Sequence, residues 1–236
     1  MTLQTKIPKV FILTLKGNNR SEKLQSILFE NKVDYEIVYG IDGRLGLSPE
    51  HEASIDRDET KKVFGRRMSD GEYACALSHR LIYKKIIDQD LDRAIVFEDD
   101  TIPHMDFFSL SRYFFEATEL TLLYHHNAYV WRSSLKKQPY KGVFTLSNSP
   151  FGACAYVISA KIARLIISTA NPITSPADWP IDLTKINSGA AWPLMAIHEG
   201  TSTSNLSYDR PKSSYRELTI KRIIRRVWKL IGKKIT

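Results

Sequence analysis

The sequence contains little cysteine and no long hydrophobic run. Its two cysteines, Cys75 and Cys154, lie far apart in 236 residues and form no C-x-x-C pair, which argues against a disulfide framework and a zinc ribbon. Free cysteine is usually buried, so we expect both to be small core residues in a protein of a reducing compartment. No segment approaches the roughly 20 apolar residues of a membrane-spanning helix.

Targeting and nucleotide motifs are also missing. The first 19 residues lack the apolar core and cleavage site of a signal peptide, so a cytoplasmic location is expected. Neither G-x-x-x-x-G-K-[ST] nor G-x-G-x-x-G occurs. These absences argue against the phosphate loop of an ATPase and against a dinucleotide fold.

A basic excess is present, but it is confined to one end of the chain. The sequence holds 34 lysines and arginines against 26 acids, a net charge of +8. Nine of the bases and one acid follow Pro211, so residues 1–211 carry 25 charges of each sign. This neutral body argues against a nucleic-acid partner.

The N-terminal segment predicts a βαβ unit. Val10–Leu15 is a strand-sized apolar run, residues 20–31 carry helical periodicity, and Tyr35–Tyr39 predicts a second strand that stops at a glycine turn. Residues 45–70 are polar without a sustained period. We expect them to form a long excursion or lid.

A predicted helix and strand then lead to a run of acids. Residues 72–87 have helical periodicity, and Arg93–Phe97 is a continuous apolar strand that runs directly into Glu98, Asp99 and Asp100. A fully apolar strand indicates burial on both faces of a parallel sheet. Open α/β sheets bind ligands at the carboxyl ends of their strands, where these acids lie.

The remaining segments extend this α/β pattern. Strands are predicted over 120–124, 128–131, 143–146 and 152–159, with a basic turn at 136–137 and a helix over 160–170. Residues 171–211 are rich in proline, serine and asparagine, which predicts mostly irregular structure.

The acid run is the strongest chemical signal. In a continued strand, Glu98 and Asp100 would share one face and Asp99 would lie on the other. Two converging carboxylates suit Mg²⁺ or Mn²⁺, which prefer carboxylate, water and phosphate oxygen. Three acids in a row are equally typical of a solvated loop or a helix N-terminus.

Five sequence blocks along the chain, taken in their order, form a recognisable pattern. They are V-F-I-L-T-L-K-G-N-N-R from residue 10, I-D-G-R from 41, G-E-Y-A-C-A-L-S-H-R from 71, I-V-F-E-D-D-T from 95 and F-G-A-C-A-Y-V-I-S from 151. Together with weaker matches at Asp178 and over 193–204, they resemble glycosyltransferase family 25, the bacterial lipooligosaccharide galactosyltransferases and their collagen-modifying relatives. Ala74 and Ala155 stand where that family usually has glycine, which leaves the substrate open.

The resemblance implies a GT-A-like α/β fold with a mostly parallel central sheet flanked by helices. It implies inverting transfer of a sugar, usually galactose from UDP-galactose, to a lipooligosaccharide, lipopolysaccharide or other surface-glycan acceptor. A metal ion, Mn²⁺ or Mg²⁺, would neutralise the departing diphosphate. We expect Glu98, Asp100 and His198 to hold it, although His198 is equally well explained as a structural histidine.

The resemblance also assigns roles to other residues. Asp178 is the expected base for the acceptor hydroxyl, with Asp182 and Glu199 in reserve, while Trp179 and Asp182 would bind the acceptor. An aspartate in a proline-rich loop is also a common turn former. The expected donor-binding residues are Leu15, Lys16, Arg20, Asp42, Ser78, His79, Asp99, Gly152 and Tyr156.

The basic C-terminal segment predicts a membrane contact. From residue 218 to 231, apolar side chains recur at spacings of three and four with cations between them, as in a basic amphipathic helix on an anionic bilayer. We expect a catalytic domain over 1–209 and a tail over 210–236 that holds the protein on the cytoplasmic face of the inner membrane. A helix packed on the domain is the alternative.

Two other functions use the same features. A metal-dependent phosphoester hydrolase would need the same acids. An inactive sugar-nucleotide or membrane-binding module is compatible with the departures at Ala74 and Ala155.

Overall fold

A seven-stranded sheet lies between helices in the computed structural model, which describes residues 7–110, 112–137, 142–199 and 232–235. The strands are β1 Val10–Thr14, β2 Tyr35–Tyr39, β3 Arg93–Glu98, β4 Thr101–Pro103, β5 Leu120–Leu122, β6 Tyr129–Trp131, β7 Gly142–Thr145, β8 Ala155–Ser159, β9 Ser188–Trp192, β10 Ala196–His198 and β11 Gly232–Lys234. The α-helices are α1 Glu22–Glu30, α2 Pro49–Glu52, α3 Arg57–Phe64, α4 Asp70–Asp88, α5 Arg112–Glu116, α6 Arg132–Lys137 and α7 Ala160–Thr169. Short 3₁₀ turns occupy Met105–Ser109 and Leu183–Lys185.

The central sheet has the order β2-β1-β3-β8-β5-β9-β7. Its pairings give β1, β2, β3, β5 and β9 one direction and β7 and β8 the opposite one. The sheet is therefore mostly parallel and flanked by helices, which confirms the α/β class expected from the sequence. The parallel strands β1 and β3 bring their carboxyl ends to the same edge.

Both faces of the sheet are covered, as the apolar run that forms β3 predicts. Alternate residues of β1 point to opposite sides: Phe11 and Leu13 pack in the cluster that contains α4 and α7, whereas Val10 and Ile12 pack with α1. All five residues of β1 are buried. Because β1 is buried on both sides and pairs with β3, it fixes the end of β3, where the acids lie.

Residues 45–70 are better ordered than the sequence suggests. They form α2 and α3, and Ile55 and Met68 pack against Tyr73 of α4. Asp56 caps the start of α3 through the backbone N–H of Glu59, and Gly65 ends it in a left-handed conformation. Most of the segment is nevertheless exposed or half-buried, as expected of an excursion from the sheet. Its helices were missed because caps rather than periodicity define helices this short.

Three further segments differ from the sequence-based expectation. The predicted basic turn at 136–137 is the end of α6, and β9 and β10 lie within the stretch expected to be irregular. The sequence of β9, S-G-A-A-W, lacks the β-branched residues that signal a strand. Its neighbours β5 and β7 hold it in the sheet.

The end of the chain returns to the body. Gly232–Lys234 pairs antiparallel with β6, and Ile235 is buried in the core cluster of α4 and α7. The predicted amphipathic helix over 218–231 lies outside the described residues. Among the helices that the structure describes, none has the length and apolarity to cross a bilayer.

Candidate functional site

Two open clefts meet at the carboxyl ends of β1 and β3. The first, which we call the strand cleft, has a volume of about 760 Å³ and lies between the end of β1, the turn at 40–44, the start of α4 and the acids after β3. The second, the loop cleft, has about 1030 Å³ and is lined by residues around 124, 151–154, 176–178 and 198. Cys75 and Glu98 line both clefts and form the wall between them.

The acid run begins as strand and ends as turn. β3 stops at Glu98, so Asp99 and Asp100 do not continue its alternation. Asp99 Oδ2 accepts hydrogen bonds from Thr14 Oγ1 at 2.8 Å and Asn18 Nδ2 at 3.1 Å. Burial raises the pKa of Asp99, assisted by its acidic neighbours and opposed by Thr14 and the charge of Arg20. The first turn after β1 thus anchors the middle acid.

Asp100 is buried and contacts both an arginine and a histidine. Its Oδ2 accepts from Arg20 Nη2 and lies 3.1 Å from His198 Nε2. Burial acts to raise the pKa of Asp100, but the bond and charge of His198 and the charge of Arg20 outweigh it, so the pKa lies below its usual value. The same bond raises the pKa of His198 against the effect of its partial burial.

The other carboxylate oxygen of Asp100 has a different environment. Oδ1 is buried and has no hydrogen-bond partner among the described residues, although a buried carboxylate oxygen without a partner is costly. With the imidazole of His198 beside it, this donor set fits Mn²⁺ or Mg²⁺. The structure therefore brings together two of the three predicted metal ligands, Asp100 and His198.

The third predicted ligand, Glu98, makes its contacts elsewhere. Its Oε1 lies 3.0 Å from His79 Nε2 and 4.0 Å from Cys75 Sγ, both on α4. Glu98 and Asp100 do not share a strand face as expected, because β3 ends between them. Glu98 remains close to the pair, since its charge contributes to raising the pKa of His198.

His79 and Tyr156 were expected to touch the donor, and that expectation was wrong. His79 is 1% exposed, Tyr156 is fully buried, and neither lines the strand cleft or the loop cleft. The Tyr156 hydroxyl lies 2.8 Å from His79 Nδ1 and donates to Tyr83 at 3.2 Å. These side chains position Glu98, and neither of them reaches a donor in the strand cleft or the loop cleft.

Several predicted donor-binding residues do line the strand cleft: Leu15, Arg20, Asp42, Ser78 and Asp99. Ser78 Oγ accepts from the backbone N–H of Ile41 at 2.8 Å and so ties the turn after β2 to α4. Hydrogen bonds from Arg44 lower the pKa of Asp42 and occupy both of its oxygens. Lys16 is exposed and lines neither cleft, so the structure gives no support for its expected donor contact.

Asp178 lies in the loop cleft, where its Oδ1 accepts from the backbone N–H groups of Gly152 at 3.0 Å and Ala153 at 2.8 Å. Gly152 has a φ of 112°, and a Cβ there would lie 2.9 Å from the Tyr124 ring. Only glycine suits that backbone conformation and that close approach. The carboxylate of Asp178 is thus held by two amides at the mouth of the cleft, and its role as a base stays a prediction.

The two predicted acceptor residues lie outside both clefts. Trp179 is 6% exposed, donates from Nε1 to Pro150 O and packs edge-on against the Tyr156 ring. It is a core residue, so the expectation that its ring stacks on a sugar was wrong. Asp182 is exposed and caps the turn at Thr184, which does not support an acceptor contact.

Glu199, the second reserve base, does not line the loop cleft. Its carboxylate forms an exposed ion pair with Lys23 of α1, and its backbone N–H donates to Asp100 O at 3.0 Å. Its backbone thus joins the segment after β10 to the acid turn. The charge is already neutralised by Lys23, which does not favour a role as base.

Sequence reasoning missed four residues of the site: Thr14, Asn18, Cys75 and Tyr124. Thr14 and Asn18 hold Asp99, while Tyr124 lines the loop cleft with its ring centroid 5.9 Å from that of His198. Cys75 was expected in the core, yet it is only partly buried. Its spacing of four from His79 was a usable signal, because that spacing places both side chains on one helix face.

The two departures from the family pattern differ in consequence. Ala74 lines the strand cleft, and a Cβ on the facing Gly43 would lie 2.9 Å from the Ala74 methyl group. Ala155 is fully buried in β8 and lines neither cleft. Of these two alanines, Ala74 therefore lies at the surface of a cleft and Ala155 does not.

Comparison with known proteins gives a family match over residues 7–183, to the family described as glycosyltransferase family 25 (LPS biosynthesis protein). Procollagen galactosyltransferase 2 of Homo sapiens is 27% identical over 177 residues, which cover 70% of this chain and 28% of that protein. Procollagen galactosyltransferase 1-A of Xenopus laevis is 28% identical over 189 residues, covering 73% and 31%. The chain thus spans less than a third of the length of these two relatives.

Two other matches are weaker or of a different kind. Inactive glycosyltransferase 25 family member 3 of Homo sapiens is 30% identical over 96 residues, which cover 39% of this chain and 16% of that protein. Among solved structures, one titled Crystal Structure of A197 from STIV is 15% identical with a TM-score of 0.43, covering 81% of this chain and 85% of that one.

Proposed function

This chain belongs to glycosyltransferase family 25, and we propose that it transfers a sugar from a nucleotide-sugar donor to a glycan acceptor. The carrying observation is the contact between Asp100 and His198 at the meeting point of the two clefts, with Asp100 Oδ1 buried and unpartnered among the described residues. One cleft for the donor and one for the acceptor, joined at a wall, suit a two-substrate transfer.

The donor is proposed to be UDP-galactose, bound in the strand cleft. The relatives named as galactosyltransferases support the sugar. Arg20, which lies beside Asp99 and Asp100, supplies a fixed cation for the diphosphate. Ala74 narrows this cleft opposite Gly43, so we expect it to affect which donor fits.

Asp100 and His198 are proposed to hold Mn²⁺ or Mg²⁺, with Glu98 at the adjoining wall. When bound, such an ion neutralises the negative charge that develops on the departing diphosphate. His198 must be neutral to be a ligand. The fit to a metal rests on the unpartnered Asp100 oxygen and the imidazole beside it.

Asp178 is proposed to accept the proton of the acceptor hydroxyl. The amides of Gly152 and Ala153 hold its Oδ1, which leaves Oδ2 for the hydroxyl. As the proton passes to Asp178, the acceptor oxygen bonds to the anomeric carbon and the bond from that carbon to the diphosphate breaks. Attack opposite the leaving group inverts the anomeric centre, by the geometry that inverting glycosidases use for water.

The acceptor is proposed to be a glycolipid or oligosaccharide of surface-glycan assembly. The family description names lipopolysaccharide biosynthesis, which supports this class. A tail on an anionic membrane surface would bring the loop cleft close to a lipid-linked acceptor. The same placement gives a cytoplasmic protein bound peripherally to the inner membrane.

An inactive donor-binding module is the second candidate. Similarity to a relative named as inactive favours it. So does the ion pair between Arg20 and Asp100, which already neutralises part of the acid cluster. The two candidates differ in whether bound donor is turned over.

The test is UDP release from a panel of UDP-sugars, with and without Mn²⁺, with extracted lipooligosaccharide as acceptor. We expect release with UDP-galactose that depends on the metal, and a loss of at least 100-fold in Asp100→Asn. The matched control is Asp106→Asn, an exposed acid in the 3₁₀ turn after β4. Donor binding without release would favour the inactive module, and phosphate release from a generic ester without a sugar would favour the hydrolase.

A further inference from the structure

The wall between the clefts holds a second set of metal-ligating atoms. Cys75 Sγ, His79 Nε2 and Glu98 Oε1 all lie within 4.8 Å of one another. Cys75 and His79 come from successive turns of α4 and share a face of the helix, while Glu98 ends β3. A helix and a strand thus bring three different kinds of ligand to one point.

Hydrogen bonds define which nitrogen of His79 is available there. The Tyr156 hydroxyl donates to Tyr83, so it accepts from the N–H at His79 Nδ1, 2.8 Å away. In a neutral ring, Nε2 then turns its lone pair towards Glu98. Nε2 and Glu98 Oε1 lie 3.0 Å apart, so with the ring proton on Nδ1 a metal ion can be bound by the Nε2 lone pair and the carboxylate oxygen together.

The arrangement suits a borderline-soft metal ion. Zn²⁺ binds thiolate at about 2.3 Å and imidazole or carboxylate at about 2.0–2.2 Å. At tetrahedral angles these bonds place the ligand atoms about 3.3–3.6 Å apart. The observed separations are 3.0 Å between nitrogen and oxygen and 4.0 Å between sulfur and oxygen, so small side-chain adjustments suffice.

The residues around these three ligands also suit a metal site. Metal-bound histidines usually donate their other N–H to an outer partner that fixes the ring, and the Tyr156 hydroxyl occupies that place. Both clefts reach Cys75 and Glu98. A fourth coordination position would therefore be open to water or to a ligand in the clefts.

We infer that Cys75, His79 and Glu98 form a site for a borderline-soft divalent cation such as Zn²⁺, separate from the Asp100 and His198 pair. The thiolate distinguishes this site, because sulfur selects Zn²⁺ over the hard ions that suit carboxylates. On binding, the thiol proton of Cys75 is released to solvent and a sulfur–metal bond forms. Metal binding by these three residues does not depend on sugar transfer.

Cobalt is the probe for the test, because Co²⁺ takes the same ligands and reports a thiolate through a charge-transfer band in the near ultraviolet. The full chain, stripped with a chelator, is titrated with Co²⁺ in the absence of nucleotide sugar. We expect a band that saturates at one equivalent and is bleached by Zn²⁺. Cys75→Ser removes the band and Cys154→Ser, the matched control, retains it. No band in the unchanged chain, or a band that persists in Cys75→Ser, overturns the inference.

Two further measurements keep the test decisive if Cys75→Ser folds poorly. Tyr156→Phe removes the outer hydrogen bond to His79 together with the bond to Tyr83 but leaves all three ligands in place, and we expect it to weaken Co²⁺ binding about 10-fold to 100-fold. In the unchanged chain, Zn²⁺ slows alkylation of Cys75, followed by peptide mass analysis. An alkylation rate that Zn²⁺ leaves unchanged contradicts the site, whatever the outcome of the transfer assays.

Discussion

At the scale of single residues, Asp178 carries the most specific prediction about catalysis. Asp178→Asn keeps an oxygen that can accept from the amides of Gly152 and Ala153, but the amide cannot take a proton from the acceptor. If Asp178 is the base, kcat falls by about 100-fold to 10,000-fold, while the KM for the donor changes little. The measurement is steady-state transfer at several donor concentrations.

Asp182→Asn is the matched control, since Asp182 lies in the same loop but is exposed and lines neither cleft. We expect its kcat to stay within a few fold of the unchanged chain. Equal activity in Asp178→Asn and the unchanged chain would leave Asp178 with only its turn-forming role.

Glu36 on β2 gives a prediction about stability and pH. Burial acts to raise its pKa, but hydrogen bonds from Lys85, Gln89 and Lys9 outweigh it and lower the pKa of Glu36 to about 2, from 4.5. A carboxyl whose pKa is lowered on folding stabilises the protein above its unfolded pKa and loses that effect as the pH falls through its folded pKa. The contribution is therefore complete above about pH 5 and vanishes near pH 2.

Glu36→Gln is expected to lower the free energy of unfolding at pH 7 by about 1–2 kcal/mol, after allowance for solvent screening of its lysines. The difference from the unchanged chain shrinks between pH 4.5 and 2. Urea unfolding at several pH values measures it. Glu30→Gln, at an exposed site on α1, is the control and changes stability by less than about 0.5 kcal/mol. A difference that is constant with pH would contradict the account.

Residue roles were harder to predict than residue positions. The acids lie at the site because they end or follow β3, and His198 lies there because its strand, β10, pairs with β4. The local sequence pattern can predict positions of this kind. Trp179 could not be assigned in this way. Its burial depends on Pro150 and Tyr156, which are distant in sequence, and no pattern around it reports those contacts.

At the scale of elements, the start of α4 links fold to site, because Gly71 and Ala74 of its first turns line the strand cleft. Ser69 Oγ accepts from the N–H of Glu72 at 3.2 Å, and Glu72 Oε2 accepts from the N–H of Ser69 at 3.0 Å. This capping box satisfies two backbone groups that the helix leaves unpaired. It also fixes the end of α4 that faces the cleft.

Ser69→Ala is expected to lower the free energy of unfolding by about 1 kcal/mol, the usual cost of losing an N-cap side chain. Ser26→Ala is the control, since that hydroxyl lies on the exposed face of α1 and bonds only to Glu22 O. Chemical denaturation of both variants checks the prediction. Equal stability of the two variants would mean that contacts other than the cap hold the start of α4.

Elements were predictable where the local signal was strong. β1 and β3 are continuous apolar runs, and α4 has helical periodicity over many residues and a cap at its start. Their bounds therefore follow from the sequence within two residues. β9 and the helices α2 and α3 were missed for a common reason. Strand β9 is made of small residues and the two helices are short, so pairing and capping rather than hydrophobic period decide their structure.

At the scale of the whole molecule, the two clefts and the excess positive charge lie in different parts of the chain. Residues 1–211 are neutral and contain both clefts, whereas the excess of +8 follows Pro211. Each cation near an anionic bilayer contributes about 1 kcal/mol. The body therefore has no net attraction to such a surface, and membrane binding is expected to depend on the tail.

The test of this expectation keeps the chain at full length, because β11 pairs with β6 and Ile235 is buried; removing the tail would expose that strand and leave a gap in the core. Five cations of the segment are replaced by glutamate instead: Lys221, Arg222, Arg225, Arg226 and Lys229. Losing about 1 kcal/mol for each cation, and adding repulsion, is expected to weaken binding to phosphatidylglycerol vesicles by at least about 1000-fold.

Flotation with these vesicles measures the binding, and Lys61→Glu with Lys62→Glu, on the exposed side of α3, is the matched control in the body. The control is expected to float with the vesicles as the unchanged chain does, and rising salt is expected to release both, since screening shortens the reach of surface charge. Flotation of the five-fold variant equal to that of the unchanged chain would place the membrane contact on the body. Transfer to a soluble acceptor is expected to be the same in the five-fold variant and the unchanged chain, because neither cleft borders β6 or β11.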